Sequence, residues 1–169
     1  MGVYALLAEA MRYPVPGRLE RLEAMSLSLT AGAGYTAFRS FLEAVRPLAL
    51  GEWEELYTRT WDLNPLAPPY IGFQMWGEDY RRGTFLAHLQ GAYRENGIDS
   101  GGELPDHLVP VLSYLDAVCV PTAELGEVFS KAVEKMAAML HKRDATNPYL
   151  PLLREILAQK HLDGAPAGE

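Results

Sequence analysis

The segment 122–143 most constrains the fold. Leu125, Val128, Phe129, Ala132, Met136 and Leu140 recur at three- and four-residue steps, the spacing that places them on one stripe of an α-helix. Lys142 and Arg143 close the segment, where the helix dipole favours positive charge. A helix this long and one-sided needs other elements to cover its stripe. No convincing run of alternating apolar and polar residues marks a half-buried strand, so the cover must come from further helices.

The same periodicity predicts those helices. Segment 3–11 is stopped at Tyr13-Pro14, because the residue before a proline is driven out of helical geometry. Segment 16–29 carries Leu19, Leu22, Met25 and Leu29, and the Gly/Ala-rich 30–34 ends it. Next come 35–49, with Phe38, Phe41, Leu42 and Val45 inward, and 52–62, with Trp53, Leu56, Tyr57 and Trp61. The loop 64–70 holds three prolines and must be extended. Segment 77–94 presents Phe85, Leu89, Ala92 and Tyr93 and ends at Asn96-Gly97. On the same projection Glu78 and Arg82 fall four apart in the favourable acid-first order, which predicts a structural ion pair. Segments 105–118 and 147–161 complete the set. The expected fold is all-α: a single-domain multi-helix bundle of about seven or eight helices over 1–162, with 163–169 a disordered tail.

Composition narrows function. The chain has 169 residues, 49% of them apolar, enough for one well-buried core. Its net charge of −7 and scattered basic residues argue against nucleic acid and suit a basic partner. No apolar run approaches the roughly 18 residues of a membrane span, so direct membrane insertion is not expected. The amino terminus lacks a basic region ahead of its apolar residues, which makes the cytoplasm the expected location. The single cysteine, Cys119, continues the stripe of 105–118 and is predicted to be a buried small hydrophobe.

Catalytic constellations are scarce. His88, His107, His141 and His161 lie on separate predicted helices without ligand spacing, so neither metal nor cofactor is expected. There is no Gly-x-Ser-x-Gly elbow and no phosphate-cradling loop. The most informative short stretch is Glu103-Leu104-Pro105-Asp106-His107-Leu108, an acid-histidine pair on what reads as the opening turn of a helix with Pro105 in its first position. Glu103, His107 and Tyr114 then line one edge of the apolar stripe, where a partner could read them. His107 with Asp106 or Glu103 is the candidate general base of a small hydrolase, although an acid-histidine pair is more often a capping or packing device. A regulatory helical binding module is the other alternative. Trp53, Tyr57, Trp61, Tyr70, Phe73 and Trp76 bracket the proline loop, and a loop so rich in rings should cover or line a groove.

In chain order, Leu6-Leu7, Tyr13-Pro14, Tyr57-x-Arg59-x-Trp61, Gly77-Glu78, Arg82-Gly83, Tyr93, Gly97, the Glu103–Leu108 string and Asn147-Pro148-Tyr149 resemble the NarJ/TorD family, the cytoplasmic assembly chaperones of molybdenum-cofactor oxidoreductases. The nitrate reductase delta-chain branch is the most similar. The resemblance implies an all-helical, non-enzymatic protein that holds the apo catalytic subunit by its N-terminal peptide until the molybdenum cofactor is inserted. It implies that Glu103, Pro105, Asp106 and His107 belong to the client-binding surface, with Tyr57 and Arg59 beside it. Trp61 stands where the family usually has Phe. A client segment of this kind would lay an apolar side in a groove while its basic residues meet acidic rim groups such as Asp106. A monomer or a dimer is compatible with these features.

Overall fold

The structure is a computed structural model that describes residues 2–29 and 33–159. Among the described residues it contains nine α-helices and one π-helical turn: α1 (Val3–Ala10), α2 (Arg18–Ser26), α3 (Ala33–Val45), α4 (Leu50–Tyr57), the π-turn (Thr58–Asp62), α5 (Ile71–Trp76), α6 (Tyr80–Asn96), α7 (Leu108–Ala117), α8 (Ala123–Arg143) and α9 (Leu150–Ala158). The all-helical class is as expected, with α5 added. The predicted tail 163–169 lies outside the described residues.

The helices close into a ring of contacts. α1 packs on α7 and α2, α2 on α3, α3 on α9, α9 on α8, α8 on α5, α5 on α6, and α6 returns to α7. Every residue of the predicted α8 stripe is buried, and Val133 joins it. The inward faces predicted for α3 and α6 are buried as well. Tyr149, fully buried, is an aromatic hub: its ring meets Phe41, Tyr57 and Trp61 at centroid distances of 5.1, 6.3 and 5.5 Å. Its hydroxyl accepts a hydrogen bond from Trp53 Nε1 at 3.0 Å. The Trp53–Trp61 segment and Asn147-Pro148-Tyr149 therefore fold as one unit.

Four local expectations are corrected. Helix α5 was not anticipated, because six residues are too few to display a helical period. It ends at Gly77, whose φ of 59° favours glycine. Helix α6 then starts at Tyr80 under the Asp79 cap, which accepts the Arg81 N–H at 2.9 Å. Glu78 thus lies in the preceding turn, not on the helix with Arg82. Helix α7 begins at Leu108 rather than Pro105, because 105–108 is drawn into pairing with the proline loop. The Ile71 N–H donates to the Asp106 carbonyl and the Leu108 N–H to the Pro69 carbonyl, both at 2.8 Å. Finally, α7 stops at Ala117, so Cys119 falls beyond the stripe and is exposed.

Candidate functional site

Asp106 is fully buried and ties three elements together. Its carboxylate accepts from Arg82 Nε at 2.9 Å and Arg82 Nη2 at 3.2 Å, and from the Gly72 N–H at 3.1 Å. Only glycine permits this approach at position 72, since a Cβ there would lie 2.8 Å from Asp106 Oδ2. A two-pronged guanidinium contact plus a backbone donor satisfies a charge that would otherwise be very costly to bury. The predicted ion pair of Arg82 with Glu78 is therefore replaced by one with Asp106. The Arg82 guanidinium also lies over the rings of Tyr70 and Phe73, 5.4 and 5.6 Å from their centroids.

His107 is the N-cap of α7, and its Nδ1 accepts the Val109 N–H at 3.1 Å. The ring is 4% exposed and packs edge-on to Tyr70 at 5.3 Å. Burial, reinforced by the positive charge of Arg12, pulls its pKa down to about 4. It is a neutral, engaged cap, and the hydrolase reading loses the base it rested on. Pro105 offers its carbonyl to the Tyr93 hydroxyl at 2.7 Å. Tyr114 is buried against Tyr93, with ring centroids 5.4 Å apart. Asp106, His107 and Tyr114 therefore do not form an exposed rim as expected. They hold the wall from which Glu103 and Leu104 project, Leu104 being 47% exposed.

Opposite that wall stands the Tyr57-x-Arg59-x-Trp61 segment. The widened π-turn turns the carbonyls of Arg59 and Thr60 to the proline loop, where they accept the N–H groups of Leu66 and Ala67, both at 3.2 Å. Asn147 fastens it from α9's side: its Nδ2 donates to Thr60 Oγ1 at 2.9 Å, while its Oδ1 accepts the Tyr149 N–H at 3.0 Å. Arg59 is exposed and faces Asp144 at 4.0 Å. Tyr57 is buried except at one edge and takes Tyr13 against its ring at 5.2 Å. Burial raises the Tyr57 pKa, and the charges of Glu103 and Asp62 raise it further; the same three causes act on Tyr70. Both hydroxyls are thus within electrostatic reach of both carboxylates.

Exposed side chains on three connections, α1–α2, π-turn–α5 and α6–α7, and on α5 itself make up the candidate face. Tyr13, Leu63, Phe73 and Leu104 supply exposed apolar surface, with Leu63 71% exposed. Asp62 and Glu103 stand among them. On the outer side of the π-turn, an open groove of about 540 Å³ is lined by Tyr13, Glu54, Glu55, Arg59 and Leu63. Of the rings that bracket the proline loop, Trp53 and Trp61 are core, and Tyr70 and Phe73 lie against the Arg82 guanidinium. Residues missed from sequence are Tyr13, Asp62, Leu63 and Leu104. Large apolar residues inside predicted loops, Leu63 and Leu104, were the signal that would have found them.

Chemically this face can bind and orient a chain segment with an apolar side and positive charge. Among the described residues no group of three or more His, Cys, Asp or Glu side chains is arranged to hold a metal ion. No curated protein matches the chain. The family model for the nitrate reductase delta subunit matches residues 26–155, a span containing α4 through α8, the π-turn and the Glu103–Leu108 string. By that match the chain belongs to the nitrate reductase delta subunit family.

Proposed function

We propose that this protein is a cytoplasmic, non-catalytic maturation chaperone. It binds the N-terminal segment of the apo catalytic subunit of a molybdenum-cofactor oxidoreductase, nitrate reductase first among clients, and keeps that subunit open to cofactor insertion and assembly. Family membership supports an assembly-chaperone role for a molybdoenzyme. The observation that carries the finer reading is the exposed apolar surface of Tyr13, Leu63, Phe73 and Leu104 together with the exposed carboxylates of Asp62 and Glu103, which form no ion pair among the described residues. An amphipathic basic segment complements such a surface in both respects.

Of the residues the sequence nominates, Glu103 makes direct contact in this reading, and Arg59 borders the bound segment. Tyr57 offers only its hydroxyl edge. Pro105, Asp106 and His107 act by holding the wall in place, as does Tyr114 from behind. The test is capture of the full chain's partners from the source cell, with the molybdenum content of the captured subunit measured. Recovery of a molybdoenzyme catalytic subunit lacking its cofactor, lost on Leu63→Glu with Leu104→Glu, is the expected result. Capture of a cofactor-loaded subunit alone, or capture indifferent to both substitutions, would overturn it.

A further inference from the structure

We propose that Arg12 and Arg21, gathered on Glu9 at the α1–α2 corner, form a seat for one acidic side chain of the bound segment. The inference rests on the docking reading above and adds an acid, and with it a direction, to the segment that the face accepts.

Glu9 is 7% exposed, and three guanidiniums converge on its carboxylate. Arg18 Nη1 donates to Oε1, Arg21 Nε lies 2.9 Å from the same oxygen, and Arg12 Nε lies 3.3 Å from Oε2. They come from both sides of the connection: Arg12 follows α1, whereas Arg18 and Arg21 both stand on α2. One carboxylate balances one of them. Arg18 is its match, with a side chain only 15% exposed, because two charges withdrawn from water must answer each other. Arg12 and Arg21 are then surplus, and their side chains remain 42% and 66% exposed. Among the described residues neither makes a second ion pair. The other acids of α2 do not relieve them: Glu20 forms no ion pair among the described residues, and Glu23 is held by Arg46 at 2.8 Å.

Each surplus guanidinium turns its Nε to Glu9, which leaves its two terminal nitrogens for another oxygen acceptor. Two such groups fastened to one carboxylate are close enough to share a second. The surroundings favour a peptide side chain over a free ion. Tyr13, next to Arg12, is 44% exposed and lines the open groove of about 540 Å³, and Val15 is 42% exposed. A glutamate or aspartate flanked by apolar residues answers both features, with its charge on Arg12 and Arg21 and its neighbours on Tyr13 and Val15. Basic residues are drawn to Asp62 and Glu103, so an acid at the α1–α2 corner gives the segment one favoured direction.

The test uses the full chain and a set of synthetic 18-residue amphipathic peptides of one basic sequence. A single glutamate occupies a different position of the polar face in each, and every peptide has a glutamine counterpart. Isothermal titration should find a position at which glutamate binds roughly fivefold more tightly than glutamine, the size of one good charge-assisted contact at a half-exposed site. Arg12→Gln and Arg21→Gln should each shrink that ratio to about twofold or less, with thermal unfolding confirming that both variants, in which Glu9 keeps Arg18, are folded. Arg46→Gln, which removes the same charge just beyond α3, should leave the ratio unchanged. Equal binding of the glutamate and glutamine peptides at every position would overturn the acid seat while leaving the docking face standing. So would a ratio that survives both Arg12→Gln and Arg21→Gln, or one that Arg46→Gln lowers as far. Binding of no peptide would overturn the docking face and the seat with it.

Discussion

Asp106 and His107 are neighbours in sequence with separate tasks. Asp106 locks Arg82 and the first turn of α5, so removing it strands a guanidinium and an amide in the interior. Asp106→Ala should cost about 3–5 kcal/mol in urea unfolding. His107 carries a pH dependence of definite sign. Its pKa is about 4 in the fold against an ordinary histidine value of 6.5, so the unfolded chain binds the proton more readily. The stability attributable to this residue is complete above about pH 6.5 and falls as the pH drops towards about 4, by roughly 3 kcal/mol in all. Below that it loses nothing more. Denaturation midpoints measured across this range should show the slope, and His107→Asn, which keeps a capping acceptor but does not titrate, should flatten it. The string 103–108 was legible as special from its residue types alone. Which of its side chains face inward was not, because that depends on the pairing of 105–108 with a loop more than thirty residues earlier.

Elements with a long apolar period were readable directly. The α8 stripe, the α3 face and the α6 face were all predicted from spacing, and burial agrees at each of those positions. Short or irregular elements escaped that reading: α5 spans less than two turns, and the π-turn has no periodic signature of its own. Both owe their shape to distant partners, the Asp106 carboxylate for α5 and Asn147 for the π-turn. Asn147→Ala should therefore leave the Tyr149 N–H without its partner and the Thr60 hydroxyl with only its bond to the Leu56 carbonyl, and destabilise the protein by about 1–3 kcal/mol. Hydrogen exchange should accelerate first across 58–67, ahead of α8. Uniform acceleration over all helices would show that the π-turn is not separately anchored.

At the scale of the molecule, the charge of −7 matters through its placement. Near the proposed face Arg82 is paired with Asp106 and Arg59 faces Asp144, while Arg12 shares Glu9 with Arg18 and Arg21, so Asp62 and Glu103 supply the negative part of the local field. Binding of a basic segment should then weaken roughly tenfold between low salt and about 0.5 M, as screening shortens the reach of those carboxylates. Glu103→Gln should reduce that salt dependence, whereas Glu127→Gln on α8 should leave it unchanged. Composition alone predicted a preference for basic partners, but the site could not be placed from sequence, since it is assembled from three connections that only the closed ring of helices brings together.

The most direct measurement is hydrogen exchange of the full chain alone and with the partner subunit recovered in the capture experiment. Protection concentrated in 12–17, 58–70 and 99–104 is the predicted result. Protection confined to other surfaces, such as the outward side of α8, or no change within those three segments, would contradict the proposed binding face.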